Sequence, residues 1–155
     1  VGHIVGIGAI KYNDLSRDRQ SDITFTWDKA LALQGNTAPY LQYAYARTKS
    51  ILRKGAAEGA TPGALVLEHP AERALARKLM FFGEAVEQVA RAARPHHLCD
   101  YLFDLAQTYS TFNAEVSVLK SEPVQRASRL ALCQHFAETL QRGLGLLGID
   151  VPEKM

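Results

Sequence analysis

Apolar residues recur at helical spacing along most of this chain. Leu75, Leu79, Phe82, Val86, Val89 and Ala93 alternate steps of four and three, which predicts a helix over 69–93 that opens at His69-Pro70 and stops at Arg94-Pro95. Leu98, Leu102, Leu105, Tyr109 and Phe112 predict a second helix over 95–113. Leu130, Cys133, Ala137, Leu140, Leu144 and Leu147 predict a third over 123–147, with Gly148 as its terminator. Upstream, Thr37 as cap and Pro39 in the first turn predict a helix over 37–54 ended by Gly55. Its apolar stripe is Leu41, Ala44, Tyr45, Thr48, Ile51 and Leu52, and its other side carries Tyr40, Tyr43, Arg47 and Lys54. Four such stripes hide from water only by packing together, so a helical bundle is expected over 37–155.

The remaining segments read differently. Ile23-Thr24-Phe25-Thr26-Trp27 alternates apolar with small polar residues, the period of a half-buried strand. Gly2, Gly6 and Gly8 interrupt an apolar run ending at Leu15, which is expected to be a glycine-bearing helix. Gly55, Gly59, Thr61, Pro62 and Gly63 mark 55–68 as a linker or long loop. The fold class expected is mainly α: a helical bundle preceded by a small α/β remnant over 1–36.

Composition narrows the function. With 155 residues, 47% hydrophobic and 22% charged, the chain has enough apolar side chains for a core. No apolar run is long enough to span a bilayer, so a soluble cytoplasmic protein is expected, and the start at Val1 reads as an excerpt from something longer. The net charge is +2, but residues 1–54 hold eight Lys or Arg against four Asp. Arg47, Lys49, Arg53 and Lys54 fall within eight residues; they make either a phosphate-binding patch or a solvated helix end. Cys99 and Cys133 are too few for a disulfide framework.

Signals for chemistry are weak. Gly6-Ile7-Gly8 lacks the third glycine of a dinucleotide loop, where Lys11 stands instead. His96, His97, Cys99, Cys133 and His135 show neither a C-x-x-C nor an H-x-x-x-H pair, so no metal site is expected. No Ser or Cys sits in a recognisable nucleophile turn. The chain therefore carries no catalytic constellation.

Several segments, in order, resemble the arginyl-tRNA synthetase family. They are Val5 to Tyr12 followed by Asp14-Leu15-Ser16, and Gly35-Asn36-Thr37-Ala38-Pro39-Tyr40-Leu41-Gln42-Tyr43-Ala44-Tyr45-Ala46-Arg47. Further on come His69 to Arg73, Pro95 to Leu102, Arg129 to Cys133, Gly143-Leu144, Leu146 to Ile149 and the terminal Pro152-Glu153-Lys154-Met155. The resemblance implies the family's C-terminal part. Residues 1–36 would end the catalytic and stem-contact region, and 37–155 would form the helical anticodon-binding domain.

It also implies a partner, an arginine tRNA, and an activity in the longer protein: joining arginine to that tRNA with ATP and magnesium. This chain lacks the family's signature motifs and is expected to bind no cofactor, to be inactive by itself, to be monomeric and to touch no membrane. Gln34, Gly35, Asn36, Tyr40, Tyr43, Arg47, Asn113 and Met155 are the implied tRNA contacts. Where the family commonly has Phe-Tyr, this chain has Phe112-Asn113; an asparagine hydrogen-bonds a base but does not stack on it. The rival expectation is a stand-alone helical module that binds RNA or another protein without an enzymatic partner domain.

Overall fold

In the computed structural model, residues 1–22 and 24–155 are described. They form α1 (Gly2–Leu15), α2 (Trp27–Ala30), α3 (Ala38–Ala57), α4 (Pro70–Met80), α5 (Phe82–Ala92), α6 (His96–Glu115) and α7 (Pro123–Leu146). The fold is mainly α, and the expected glycine-bearing first helix is present as α1.

α6 is the central helix because its apolar residues do not stop at one stripe. Leu98, Cys99, Leu102, Leu105, Ala106, Tyr109 and Phe112 are all buried, and α3, α4, α5 and α7 pack around them. Against α7 the Tyr109 ring lies flat on Phe136, with centroids 3.8 Å apart and planes 4° from parallel. α7 contributes Leu130, Leu132, Cys133, Phe136, Leu140 and Leu144 to the same core. Its end has the double bond pattern that closes a helix through a left-handed residue: Ile149 N–H donates to the Leu144 carbonyl and Gly148 N–H to Gly145, with Gly148 at φ +70°. Ile149 then turns into the core.

Three expectations are corrected. The helix expected over 69–93 is two helices, α4 and α5, separated at Phe81. The Tyr101 hydroxyl donates to the Lys78 carbonyl at 2.7 Å, and Phe81 N–H closes a tight i→i−3 turn on that same carbonyl. The break lets α4 lie on α6 and α7, while α5 covers α6 alone and buries no residue fully. Second, α3 runs through Gly55 to Ala57, and the left-handed residue beyond it is Gly59 at φ +75°. Gly55 is a packing glycine, since a Cβ there would lie 3.1 Å from the Leu130 side chain. Third, no strand occurs among the described residues. Ile23 lies outside them; Thr26 is extended at φ −140°, ψ 137°, and Trp27 begins a helix. Alternation sustains a strand only when a neighbour takes up its backbone hydrogen bonds, and here no described segment does so.

The Gly/Pro-rich segment expected as a linker or long loop is a long loop, laid as a strap on α7. Gly63 N–H donates to the Ala127 carbonyl at 3.0 Å. The buried Ser128 hydroxyl accepts from Val66 N–H at 2.9 Å and donates to the Val66 carbonyl at 3.1 Å. Where the strap meets α4, Glu72 completes a capping box with His69 and receives Arg129 from α7.

Candidate nucleic-acid interface

The loop before α3 is shaped by a turn and two anchors. Gly35 takes φ +79°, a region that suits glycine, and its carbonyl accepts from Thr37 N–H at 3.0 Å. Thr37 anchors the loop to the helix: its hydroxyl donates to the Ala32 carbonyl at 2.6 Å and accepts from Tyr40 N–H at 3.3 Å. The second anchor is Asn36. Its side-chain oxygen accepts from the Tyr12 hydroxyl of α1 at 2.6 Å, and its amide nitrogen donates to the Asp100 carboxylate of α6 at 3.4 Å. Gln34 and Gly35 stay exposed at the tip between these anchors.

α3 and α6 run side by side in the same direction, because contacts advance together: Asn36 with Asp100, Tyr40 with Phe103, and Thr48 with Tyr109. Tyr40 is half-buried, its ring edge-on to Phe103 at 5.8 Å, and that burial pushes its phenol up. Tyr43 is 44% exposed and Arg47 is exposed. Steps of three, four and seven put Tyr40, Tyr43, Arg47 and Lys54 on one outer face of α3, continuous with the loop at its N-terminal end. Asn113, on α6, is half-buried and lies one helical turn beyond Tyr109. Tyr109 itself belongs to the core. Burial pushes its phenol up and Cys133 adds to that, while Thr48 and the Arg47 charge act the other way.

The chain end follows a different flank of α3. The Gln42 amide donates to the Asp150 carbonyl at 2.8 Å, and the Tyr45 hydroxyl donates to the Glu153 carboxylate at 3.1 Å. Lys49 and Arg53 sit 3.6 and 3.8 Å from that carboxylate. Gln42, Tyr45, Lys49 and Arg53 share a face set apart from the Tyr40 face. The four-residue basic cluster is thus two pairs: Lys49 and Arg53 attend the tail, and Arg47 and Lys54 face outward. Met155, 47% exposed, ends the tail, and none of these contacts brings it against Tyr40.

Cys99 and Cys133 are core residues whose thiols are pushed up to about 12 and about 11, in both cases chiefly by burial. His96 lies 3.9 Å from Asp18, whose carboxyl is held low first by the Gln20 backbone N–H and further by Arg94. Among the described residues no group of three or more His, Cys, Asp or Glu gathers as a metal site, and no helix is long and apolar enough to cross a membrane. Sequence reasoning missed Phe103, Glu153, and the Tyr12–Asn36–Asp100 chain. No spacing rule links Tyr12 to Asn36, 24 positions apart.

The DALR anticodon binding domain model matches residues 41–155. The arginine–tRNA ligase of Synechococcus elongatus is 51% identical over 157 aligned residues, and that of Frankia casuarinae 48% over 155. Each alignment covers all of this chain, but only 27% and 26% of the relative. Among solved structures, Thermus thermophilus arginyl-tRNA synthetase superposes with a TM-score of 0.90 at 38% identity, over 98% of this chain and 27% of that one. The Plasmodium falciparum arginyl-tRNA synthetase gives 0.86 at 30%, with the same coverage. The chain therefore spans about a quarter of the length of the relatives it matches.

Proposed function

This chain belongs to the arginine–tRNA ligase family, in the part that carries the DALR anticodon-binding domain, and from that premise we propose that the outer face of α3 grips the anticodon stem-loop of an arginine tRNA. The observation that carries the proposal is the continuity, on one face, of an exposed loop tip, the half-buried Tyr40, the exposed Tyr43 and an arginine with no ion-pair partner among the described residues. A base stacked on an aromatic ring contributes about 1 to 3 kcal/mol, and unpaired bases offer their edges to side chains. Tyr43 is the more open stacking surface and Tyr40 the more firmly held one. Arg47 and Lys54 take the phosphates. Gln34, Gly35 and Asn36 meet bases at the loop end, Asn113 hydrogen-bonds farther along the groove, and Met155 approaches from the tail side.

In this reading residues 1–36 close the preceding region and 37–155 are the binding domain. The longer protein joins arginine to its tRNA using ATP and magnesium, in the cytoplasm. In the same reading that chemistry lies in the part of the longer protein that this chain does not span, and the chain by itself binds, as a monomer, without catalysing.

Charge and ring separate in one experiment. Arg47→Ala is expected to weaken binding of any stem-loop and to flatten the salt dependence by about one unit, as for one lost phosphate contact. Tyr43→Ala is expected to keep the slope and lose about 1 to 3 kcal/mol on an arginine-accepting anticodon stem-loop, with less effect on an unrelated one. Tyr40→Ala belongs in the same series after circular dichroism, because it also removes the Phe103 contact. If folded Tyr43→Ala and Tyr40→Ala bind both stem-loops as the unsubstituted chain does, this face is not the anticodon site.

A further inference from the structure

The Asn36 side chain is held by two groups, of which the Asp100 carboxylate fixes its orientation and the Tyr12 hydroxyl, able to donate or accept, conforms to it. An ionised carboxylate only accepts, so Asp100 must face the amide nitrogen. The Tyr12 hydroxyl, buried between α1 and α6, stands 2.6 Å from the other end of the amide and 3.0 Å from the Cys99 carbonyl of α6. Were the amide turned over, its carbonyl oxygen would point at the Asp100 carboxylate, acceptor against acceptor. As held, the Asn36 oxygen is occupied, and one of the two amide hydrogens is directed to Asp100. The second hydrogen has no acceptor among the described residues, on a half-buried residue beside the exposed loop tip.

We propose that Tyr12 is a positioning residue for RNA recognition: with Asp100 it locks Asn36 so that the loop presents an N–H donor, selecting a base whose exposed edge offers an acceptor. The inference rests on the anticodon reading above and names which group of the loop discriminates and what fixes it. Tyr12 touches no RNA itself. Its ring is buried against the core, so the hydroxyl is the part free to serve the loop. Asp100 is exposed, one residue past the first turn of α6.

The test uses the 155-residue chain, an arginine-accepting anticodon stem-loop, and a second stem-loop in which the loop bases carry analogues with one acceptor replaced by a hydrogen-bearing group. Tyr12→Phe removes one hydroxyl and keeps the ring. It is expected to lose roughly threefold to tenfold in affinity for the first stem-loop, in line with one neutral hydrogen bond, while its salt slope stays unchanged. The same substitution is expected to have no further effect on top of Asn36→Ala. Asp100→Asn, which lets the facing amide meet either end of Asn36, is expected to narrow the ratio between the two stem-loops. Without RNA, the Asn36 side-chain NH2 signals in NMR are expected to shift and sharpen toward free-amide behaviour in Tyr12→Phe. Additive losses for Tyr12→Phe and Asn36→Ala, or an unaltered Asn36 signal, would overturn the positioning role while leaving the anticodon reading intact. An unsubstituted chain that ignores both stem-loops overturns that reading first, and this inference with it.

Discussion

Replacing Glu72 by glutamine tests how the strap, α4 and α7 are joined. Glu72 is 1% exposed and accepts from three donors: Glu68 N–H at 2.8 Å and His69 N–H at 2.9 Å on one oxygen, and Arg129 Nε at 2.6 Å on the other. Arg129 also donates to the Ser117 carbonyl at 2.8 Å, so one residue ties α7, the α6–α7 turn and the start of α4. Glutamine keeps the shape but exchanges one acceptor oxygen for an NH2. If the NH2 faces Arg129, donor meets cation; if it faces the backbone, donor meets two N–H groups. Neither orientation satisfies the site.

Removing one partner of a buried ion pair costs about 3 to 5 kcal/mol. Arg129 keeps the Ser117 bond and its side chain is 15% exposed, which places the expected loss near the lower end, about 3 kcal/mol. For a chain of this size that corresponds to a fall in Tm of about 6 to 12 °C. Urea denaturation at pH 7 is the assay, with an unchanged m value as the sign that only the native state was altered. The pH dependence gives a second reading. Burial pushes the Glu72 carboxyl up, but the His69 N–H, Arg129 and the Glu68 N–H outweigh it and hold the carboxyl below its ordinary range. As pH falls, the unfolded chain takes up this proton before the folded one does. The stabilisation is therefore full above the ordinary glutamate range and drains away as pH falls through the lower folded-state value. Glu72→Gln should lack that part of the acid slope. A loss under 1 kcal/mol at pH 7, or an acid limb identical to that of the unsubstituted chain, would refute the assignment of this carboxylate as a charged junction.

Two further outcomes are expected. Leu140→Ala, at a side chain with no exposure, should cost about 2 to 5 kcal/mol by urea denaturation, whereas Leu79→Ala, half-buried at the end of α4, should cost less than about 2 kcal/mol. In stem-loop titrations at several salt concentrations, Arg47→Ala and Lys54→Ala should each flatten the slope by about one unit, while Lys49→Ala and Arg53→Ala should leave it nearly unchanged.

The elements that were legible in the sequence are those whose causes are local. α3, α6 and α7 follow from apolar steps of three and four, and their starts from Thr37, Pro95 and Pro123, all signals carried within a few residues. The break at Phe81 was not legible because its cause, the Tyr101 hydroxyl on the Lys78 carbonyl, comes from 23 positions away. The glycines show the same limit. Gly55 and Gly59 are indistinguishable as letters; only the approach of Leu130 makes the first a packing residue and leaves the second to end the turn. The alternation in the sequence at residues 23–27 meets no partner strand among the described residues.

The candidate site was half legible for a related reason. Helical spacing alone puts Tyr40, Tyr43 and Arg47 on one face, but it does not say which faces of a helix other parts of the chain will claim. α3 has three: Leu41, Tyr45 and Thr48 are buried, the tail takes Gln42, Lys49 and Arg53, and the third stays open. Glu153 decides the matter. By drawing Lys49 and Arg53 toward one carboxylate, it removes two of four cations from the reckoning and leaves the outward positive charge beside the tyrosines. Those pairs are exposed and add little stability, about 1 kcal/mol or less each. Their consequence lies in direction: the face of the helix whose cations keep no carboxylate partner among the described residues is the one that carries Tyr40 and Tyr43, as the proposed function requires. A basic run in the sequence thus becomes a one-sided surface only through a residue about a hundred positions later.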